Sequence, residues 1–342
     1  LINNFMKNKI IFVAEAGVNH NGNISEAKKL IDGAAYAGAD YIKFQTFDAD
    51  KLAAPSAPKA KYQIKNLNSK KFTSQHTMLK KLQLSYDDHF VLKKYANKKK
   101  INFLSSAFDL NSLEFITKLN LDYIKIPSGE IDNIPYLEAV GKINKKTILS
   151  TGMSKITEIK DAINILKKAG LEKKKLTVLQ CNTEYPTPLK DSNIKAMLNI
   201  KDKFKVNVGY SDHTEGNEAI FAAVALGAKI IEKHFTLNKN DKGPDHLASV
   251  SIDELKKIIE SSKNILIALG SNFKKPTKSE KKNINVIRRK IFTSENIKKG
   301  EIFTHKNLIP LRSKVGVSVK YWKKYLGKKA KKNYKFLSPI LS

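Results

Sequence analysis

The sequence predicts an α/β fold, a (β/α)8 TIM barrel followed by a small C-terminal domain. Eight apolar runs of about strand length, most of them rich in Ile and Val, alternate with segments of helical periodicity. Each run ends in polar or ionisable residues, and in such a barrel the reactive groups lie at the carboxyl ends of the strands. The predicted strands are 10–17, 41–47, 101–108, 123–129, 147–153, 176–182, 206–213 and 229–235.

The segments between most strands have the 3.6-residue periodicity of amphipathic helices. The first can begin at a Ser N-cap and places Ala27, Leu30, Ile31 and Ala34 on one face. The predicted helices are 25–37, 87–97, 111–119, 134–143, 156–169, 194–200, 218–226 and 253–269.

Two segments depart from this alternation. The segment 48–86 is too long to be a single helix. We predict that it forms an excursion over the barrel mouth, because long inserted loops are commonly functional. Residues 271–287 are polar, Lys-rich and weakly periodic, which predicts a linker. We therefore expect a catalytic barrel over residues 1–270, a linker over 271–287 and a compact domain over 288–342.

Composition bounds the class of protein. The 342 residues suffice for one barrel and a small second domain, and 41% of them are hydrophobic. No run approaches the roughly 18 consecutive apolar residues that span a bilayer, and no long apolar segment near the N-terminus indicates a secretion signal. The chain begins at Leu1, and Met6 is an alternative start. The single cysteine, Cys181, excludes an internal disulfide, as is typical of a cytoplasmic protein.

The formal net charge of +31 raises the alternative of a nucleic-acid-binding protein. Only Arg288, Arg289 and Arg312 are arginines among the 63 basic residues, and the lysines are spread over nearly every predicted helix. Nucleic-acid surfaces usually cluster their charge and use arginine forks with interleaved aromatics. A basic field over a solvated surface would instead attract anionic substrates.

The predicted strand ends bring polar side chains to one mouth. His213 and His234 follow neighbouring strands, seven and eight, and two converging imidazoles can bind a divalent metal. The alternative is one structural histidine and one general acid. Glu15, at the end of strand one, is a candidate base or a partner in a solvated salt bridge. The candidate strand-end residues are Glu15, Lys43, Gln45, Lys125, Ser128, Glu130, Ser150, Asn182, Ser211, His213 and His234.

Lysines inside apolar runs are a second indication of a functional site. Lys43 and Lys125, and with them Lys233, lie where most neighbours are buried, and a lysine there is rarely structural unless it is paired. Near the mouth, Lys43 and Lys125 could bind phosphate and carboxylate, or one could form a Schiff base as in barrel aldolases. The Ser-Gly and Ser-Thr-Gly turns that begin at Ser128 and Ser150 could cradle oxyanions, although such turns are also common without function.

By these residues and the motifs that contain them, the chain resembles the sialic acid (N-acetylneuraminate) synthase family, which includes legionaminate and pseudaminate synthases. Residues 288–308 and 325–333 resemble the family's C-terminal antifreeze-like (SAF) domain. The motifs that carry the resemblance are VAEAGVNHNG (13–22), IKFQTF (42–47), FLSSAFD (103–109), IKIPSGEI (124–131), ILSTGM (148–153), QCNTEYPTP (180–188), VGYSDHTEG (208–216), IEKHFTL (231–237) and GPDHLAS (243–249).

The resemblance implies that the chain condenses phosphoenolpyruvate with an open-chain N-acylated amino sugar and water, releasing phosphate. The sugar would be N-acetylmannosamine or a diacetamido-trideoxyhexose. The implied cofactor is a divalent metal, Mn²⁺ before Mg²⁺ or Co²⁺. The implied assembly is a homodimer in which the SAF domain of one subunit caps the barrel of its partner.

The resemblance also assigns roles to individual residues. His213 and His234 would hold the metal, with Glu15 beside it. The implied phosphoenolpyruvate ligands are Lys125, Ser128, Ser150, Asn182 and Ser211. The implied amino-sugar ligands are Lys43, Gln45, Glu130, Tyr185 and Asp245. Arg312 corresponds to the SAF-domain arginine that contacts the N-acyl group, but it is followed by Ser-Lys-Val-Gly where the family usually has Pro-Gly-x-Gly.

Overall fold

The computed structural model describes residues 10–67 and 74–342. Eight parallel strands close into a barrel in chain order, which confirms the predicted (β/α)8 fold. The possible starts at Leu1 and Met6 lie outside the described residues. The barrel strands are β1 (Ile11–Gly17), β2 (Tyr41–Thr46), β3 (Asn102–Ala107), β4 (Tyr123–Ile126), β5 (Lys146–Ser150), β6 (Leu176–Cys181), β7 (Asn207–Asp212) and β8 (Ile230–His234).

Helices cover the outside of the barrel and also occur in the excursion and in the C-terminal segment. The first begins one residue earlier than predicted, because the Asn23 side chain rather than that of Ser25 caps it, accepting from the backbone N–H groups of Ser25 and Glu26. The helices are α1 (Ile24–Ala37), α2 (Ala49–Leu52), α3 (Lys61–Asn66), α4 (Gln75–Leu82), α5 (Tyr86–Lys98), α6 (Leu110–Lys118), α7 (Ile134–Ile143), α8 (Ile156–Lys168), α9 (Ala196–Phe204), α10 (Glu218–Ala225), α11 (Ile252–Leu269), α12 (Lys278–Ile287) and α13 (Trp322–Tyr325).

The main core lies between the strands and the inward faces of the surrounding helices. Leu30 and Ile31 of α1 and Phe44 of β2 are fully buried in it. Most strand residues are buried on both faces of the sheet, which is why the strands read as continuous apolar runs rather than as alternating patterns.

The excursion between β2 and β3 is mostly helical and contains α2, α3 and α4. A second apolar cluster holds the described part of it together, with Phe47, Met78 and Leu82 buried at its centre. Residues 68–73 of the predicted excursion lie outside the described residues.

The chain divides into two compact units, Leu1–Gly270 and Ser271–Ser342. The segment 271–287, expected as a linker, contains the helix α12. Thr277 and Glu280 form a capping box at its start, with Thr277 N 2.7 Å from Glu280 Oε2. Ten helical residues span about 15 Å along their axis, so this part of the segment has a defined length rather than the reach of a flexible coil.

The remainder of the second unit packs around an antiparallel pair, β9 (Arg289–Thr293) and β10 (Leu308–Arg312). Ile291, Ile297 and Phe303 are buried in its own small core. Across the described residues, no helix of either unit is both long enough and apolar enough to cross a lipid bilayer.

Candidate active site at the barrel mouth

An ionic network fills the carboxyl end of the barrel. Lys43 Nζ lies 2.6 Å from Glu15 Oε2 and 3.6 Å from Glu232 Oε2. Lys125 Nζ lies 3.1 Å from Glu232 Oε1, and the Ser211 hydroxyl donates to the same oxygen at 2.9 Å. Each lysine and each carboxylate is at least 97% buried. Two cations and two carboxylates therefore share one water-poor space in which their interactions are strong.

Glu232 was not among the residues predicted from the sequence. It lies in the apolar run Ile230–His234, so the reasoning that selected Lys43 and Lys125 applies equally to it. A charged residue within a buried strand needs a partner of opposite charge, and Glu232 is that partner for both lysines.

The two buried carboxyl groups differ in pKa because the neighbouring lysines stabilise the charged form of Glu232 more than that of Glu15. Burial raises the pKa of Glu15 to about 7, although Lys43 beside it acts in the opposite direction. Burial would also raise the pKa of Glu232, but Lys125 and Lys43 together hold it below its ordinary value. Near neutral pH, Glu232 is thus a fixed anion and Glu15 is a group that can take up or release a proton.

His213 and His234 face each other at the mouth, with ring centroids 5.3 Å apart. His213 Nδ1 donates to the backbone carbonyl of Asn182 at 2.5 Å, so its Nε2 carries the lone pair and lies 3.5 Å from Ser211 Oγ. Burial lowers the pKa of His213 to about 4 and that of His234 well below its ordinary value. Both imidazoles are neutral at pH 7, the form that binds metals.

The surroundings of His234 also fit a metal. Its Nδ1 is buried without a hydrogen-bond partner among the described residues and lies 3.9 Å from Asp245 Oδ2. A buried imidazole nitrogen without a hydrogen-bond partner and a second imidazole oriented by a backbone carbonyl could supply two ligands to a divalent ion. Within residues 10–67 and 74–342, however, no three His, Cys, Asp or Glu side chains form a ready ligand cluster. Water molecules, some of them later displaced by substrate, would complete the coordination of a metal held by two histidines.

Gly17 makes this convergence possible. It has a positive φ of 52°, and a Cβ there would lie 3.3–3.4 Å from His234, Asp245 and Glu15. Gln45 also reaches this point, with Nε2 3.4 Å from Glu15 Oε1. Hence any larger residue at position 17 would push apart the groups that meet at the end of β1.

Aromatic rings cover the histidine side of the mouth. Tyr185, in the loop after β6, stacks on His213 at 4.1 Å and meets His234 edge-on at 5.5 Å. Tyr62 of α3 lies 5.0 Å from Tyr185, again between ring centroids. Asn66 Nδ2 donates to the backbone carbonyl oxygens of Tyr185 and Pro244, at 3.2 Å and 2.7 Å.

The excursion therefore reaches the mouth and connects the loops after β6 and β8 through hydrogen bonds. Sequence reasoning identified the excursion but neither Tyr62 nor Asn66. No local pattern marks residues whose partners lie more than one hundred positions away.

The remaining predicted residues lie at the same end of the barrel but are not equally connected. Strand β4 ends at Ile126, earlier than predicted, and Ser128 lies in the following 3-10 turn, where its hydroxyl accepts from Gly152 N at 3.0 Å. Ser150 is buried at the end of β5. Glu130 accepts from Asn133 at 2.6 Å instead of joining the ionic network.

Lys233 differs from the other two strand lysines. It points away from the ionic network and pairs with Asp212 Oδ2 at 2.6 Å. The neighbouring residue Glu232 faces the barrel interior, and successive side chains of a strand point to opposite faces. Lys233 is therefore not available to a substrate at the mouth.

Arg312 lies in the second compact unit, exposed at the end of β10. It forms no ion pair within its own unit, residues 271–342, all of which the structure describes. The loop that follows it is shaped by Ser313, whose hydroxyl accepts from Val315 N at 3.0 Å, and by Gly316 with φ of 110°. A serine turn thus occupies the place of the Pro-Gly expected from the resemblance.

Comparison with known proteins identifies relatives over nearly the full length. The NeuB family model matches residues 30–274. An N,N'-diacetyllegionaminic acid synthase of Campylobacter jejuni is 49% identical over 96% of this chain and 97% of that protein. A pseudaminic acid synthase of the same species is 35% identical over 98% and 96%. The solved structure of a sialic acid synthetase from Leptospira borgpetersenii aligns with a TM-score of 0.69 and 32% identity, covering 81% of this chain and 90% of that one.

Proposed function

The chain belongs to the NeuB family, and from this we propose that it condenses phosphoenolpyruvate with an N-acylated amino sugar and water to give a nonulosonic acid and phosphate. The observation that carries the proposal is the pair of buried lysines, Lys43 and Lys125, beside two neutral histidines at one barrel mouth. The lysines suit an anionic donor, and the histidines suit a metal that activates the acceptor.

We assign the phosphoenolpyruvate subsite to the β4–β7 side of the mouth. Lys125 and the hydroxyl of Ser211 already surround one anion, the Glu232 carboxylate. Ser128, Ser150 and Asn182 complete the proposed subsite from the neighbouring strand ends and loops. Because phosphoenolpyruvate carries both a phosphate and a carboxylate, several donors in a site that excludes water would bind it and hold its C3 toward the acceptor.

We assign the acceptor subsite to the β8–β2 side, with Lys43, Gln45, Tyr185 and Asp245, together with Glu130. A divalent ion bound by His213 and His234, for which Mn²⁺ is our proposal, would supply Lewis-acid polarisation of the sugar aldehyde. The neutral state of both rings and the orphaned nitrogen of His234 support this assignment.

Glu15 is the proposed proton-handling group. When C3 of phosphoenolpyruvate bonds to the aldehyde carbon, positive charge develops at C2, where water adds; the water loses a proton, and phosphate leaves from the tetrahedral intermediate. A carboxyl with a pKa of about 7 can accept such a proton and return one. Its contact with Lys43 keeps it in place on the acceptor side of the mouth.

We propose a diacetamido-trideoxyhexose, the type of sugar that leads to legionaminate, as the acceptor. The support is the 49% identity to a diacetyllegionaminic acid synthase, against 35% to a pseudaminic acid synthase. Phosphate release would be measured with phosphoenolpyruvate and three sugars: N-acetylmannosamine and the diacetamido precursors of legionaminate and pseudaminate. The expected result is turnover with the legionaminate precursor that chelation abolishes. Release with none of the three would refute the proposal, and a preference for either other sugar would refute the substrate assignment.

We further propose that residues 288–342 form an SAF-type domain that caps the barrel of a second copy in a homodimer. Two features support this. Arg312 has no ion-pair partner within its own unit, residues 271–342. The segments that follow β3 to β6, at the carboxyl end of the barrel, also expose apolar side chains, each 48–74% accessible. They are Leu110, Ile134, Met153 and Leu189. Exposed apolar side chains near a site would suit a surface that another protein segment covers.

A further inference from the structure

The buried ion pair of Asp212 and Lys233 has no role in the reaction described above. The two residues face each other across β7 and β8, and Lys233 Nζ lies 2.6 Å from Asp212 Oδ2. Asp212 is 0% exposed and Lys233 1%. Both point to the outer face of the barrel, since Ser211 and Glu232 next to them face the interior. The pair therefore cannot touch a substrate.

The pair is also the last rung of the β7–β8 ladder. In each of the two strands, the residue that follows this rung is a histidine: His213 is the first residue beyond β7, and His234 is the last residue of β8. Loss of the ion pair at this rung would therefore change the distance between the two imidazoles.

The bonds around the pair fix the backbone on both sides of His213. Asp212 Oδ1 accepts from Thr214 N at 3.1 Å and from the Thr214 hydroxyl at 3.0 Å. Lys233 Nζ also donates to the Thr214 carbonyl at 2.5 Å. The hydroxyl of Tyr210, on the same face of β7, donates to Asp212 at 3.2 Å. His213 is thus bracketed by two residues that are both tied to β8.

Stability alone does not account for such a pair. Removing two charges from water costs several kcal/mol for each ion, and apolar residues of similar volume are often as stabilising or more so. We propose that Asp212 and Lys233 are positioning residues that hold His213 and His234 at the separation required to bind a divalent metal. This inference rests on the proposed function, because it takes the two histidines to be the metal ligands.

The test measures Mn²⁺ affinity, without substrates, by competition with a chromophoric chelator. The double variant Asp212→Leu/Lys233→Met replaces the pair with apolar side chains. It leaves the buried Thr214 N–H and the Tyr210 hydroxyl without their acceptor, so its melting temperature should fall. It should still fold and bind phosphoenolpyruvate unchanged. Its Kd for Mn²⁺ should rise about 10- to 100-fold, the usual effect of losing groups that orient metal ligands. Tyr41→Phe removes a partly buried hydrogen bond to Asp122 at the opposite end of the barrel and is the control that should leave Mn²⁺ affinity intact.

Two further variants keep the result interpretable. If the double variant does not fold, Asp212→Asn/Lys233→Met keeps a side-chain oxygen that can accept from Thr214 and leaves no buried charge unpaired, and it should still raise the Kd for Mn²⁺. His234→Ala tests the metal site itself. If His234→Ala binds Mn²⁺ as tightly as the unmodified protein, the metal assignment of the proposed function is wrong. If His234→Ala weakens binding but folded pair variants do not, the positioning role is wrong and the proposed metal site stands.

Discussion

Replacement of Lys125 by methionine separates the structural role of this lysine from its proposed role in binding phosphoenolpyruvate. The change removes the cation 3.1 Å from Glu232 Oε1 and leaves that carboxylate with Lys43 at 3.6 Å and the Ser211 hydroxyl at 2.9 Å. Removing one partner of a buried ion pair costs about 3–5 kcal/mol. Because two partners remain, we expect the free energy of unfolding to fall by about 3 kcal/mol.

The double variant Lys125→Met/Glu232→Gln removes one charge of each sign. Lys43 keeps its partner Glu15 at 2.6 Å, so no buried charge is left uncompensated. The free energy of unfolding should therefore return to within about 1 kcal/mol of the unmodified protein. Phosphoenolpyruvate binding should not recover, because hydrogen bonds to charged groups contribute about 1.5–3 kcal/mol, or about 10- to 150-fold in affinity.

The assays are urea unfolding for stability and isothermal titration calorimetry with phosphoenolpyruvate in the presence of a chelator. Lys118→Met breaks an exposed pair with Glu114 and should change neither quantity. If the double variant regained both stability and phosphoenolpyruvate affinity, Lys125 would be only a counter-ion for Glu232. Unchanged affinity in Lys125→Met would exclude the lysine from the subsite.

Three other outcomes are expected. Burial lowers the pKa of His20 to about 4, and its Nδ1 accepts from Gly22 N at 3.0 Å. The pKa in the unfolded chain is near 6.5, so the unfolded state takes up a proton before the folded state as the pH falls. The free energy of unfolding should therefore fall by about 2 kcal/mol between pH 7 and 5 because of His20. His20→Gln should show a correspondingly smaller difference in urea unfolding between these pH values, and an undiminished one would contradict the shift. Borohydride reduction in the presence of a pyruvate donor should leave no adduct on Lys43 or Lys125 by mass spectrometry, and an adduct would favour the Schiff-base aldolase. Mixing His213→Ala with Arg312→Ala under verified subunit exchange should restore part of the activity if the cap acts between subunits, and no recovery would exclude that arrangement.

Much of the site could be placed from the sequence because the eight apolar runs and the helical periodicity between them admit few folds. Once the runs are strands of a parallel barrel, their carboxyl ends must meet at one mouth. Glu15, Lys43, Lys125 and the two histidines could therefore be placed together without any tertiary information. The departures were local: the cap at Asn23 lengthened the first helix by one residue, and the capping box at Thr277 begins a helix in a segment whose periodicity is weak.

Only the tertiary structure decided which charges pair. Both faces of a parallel barrel strand are buried, so the pattern of apolar residues does not reveal which face is the interior. Glu232 and Lys233 are neighbours in the same buried run, yet the barrel turns the first toward Lys43 and Lys125 and the second toward Asp212 on the outside. The direction of each side chain depends on the register with which the sheet closes, and that register is a property of all eight strands together.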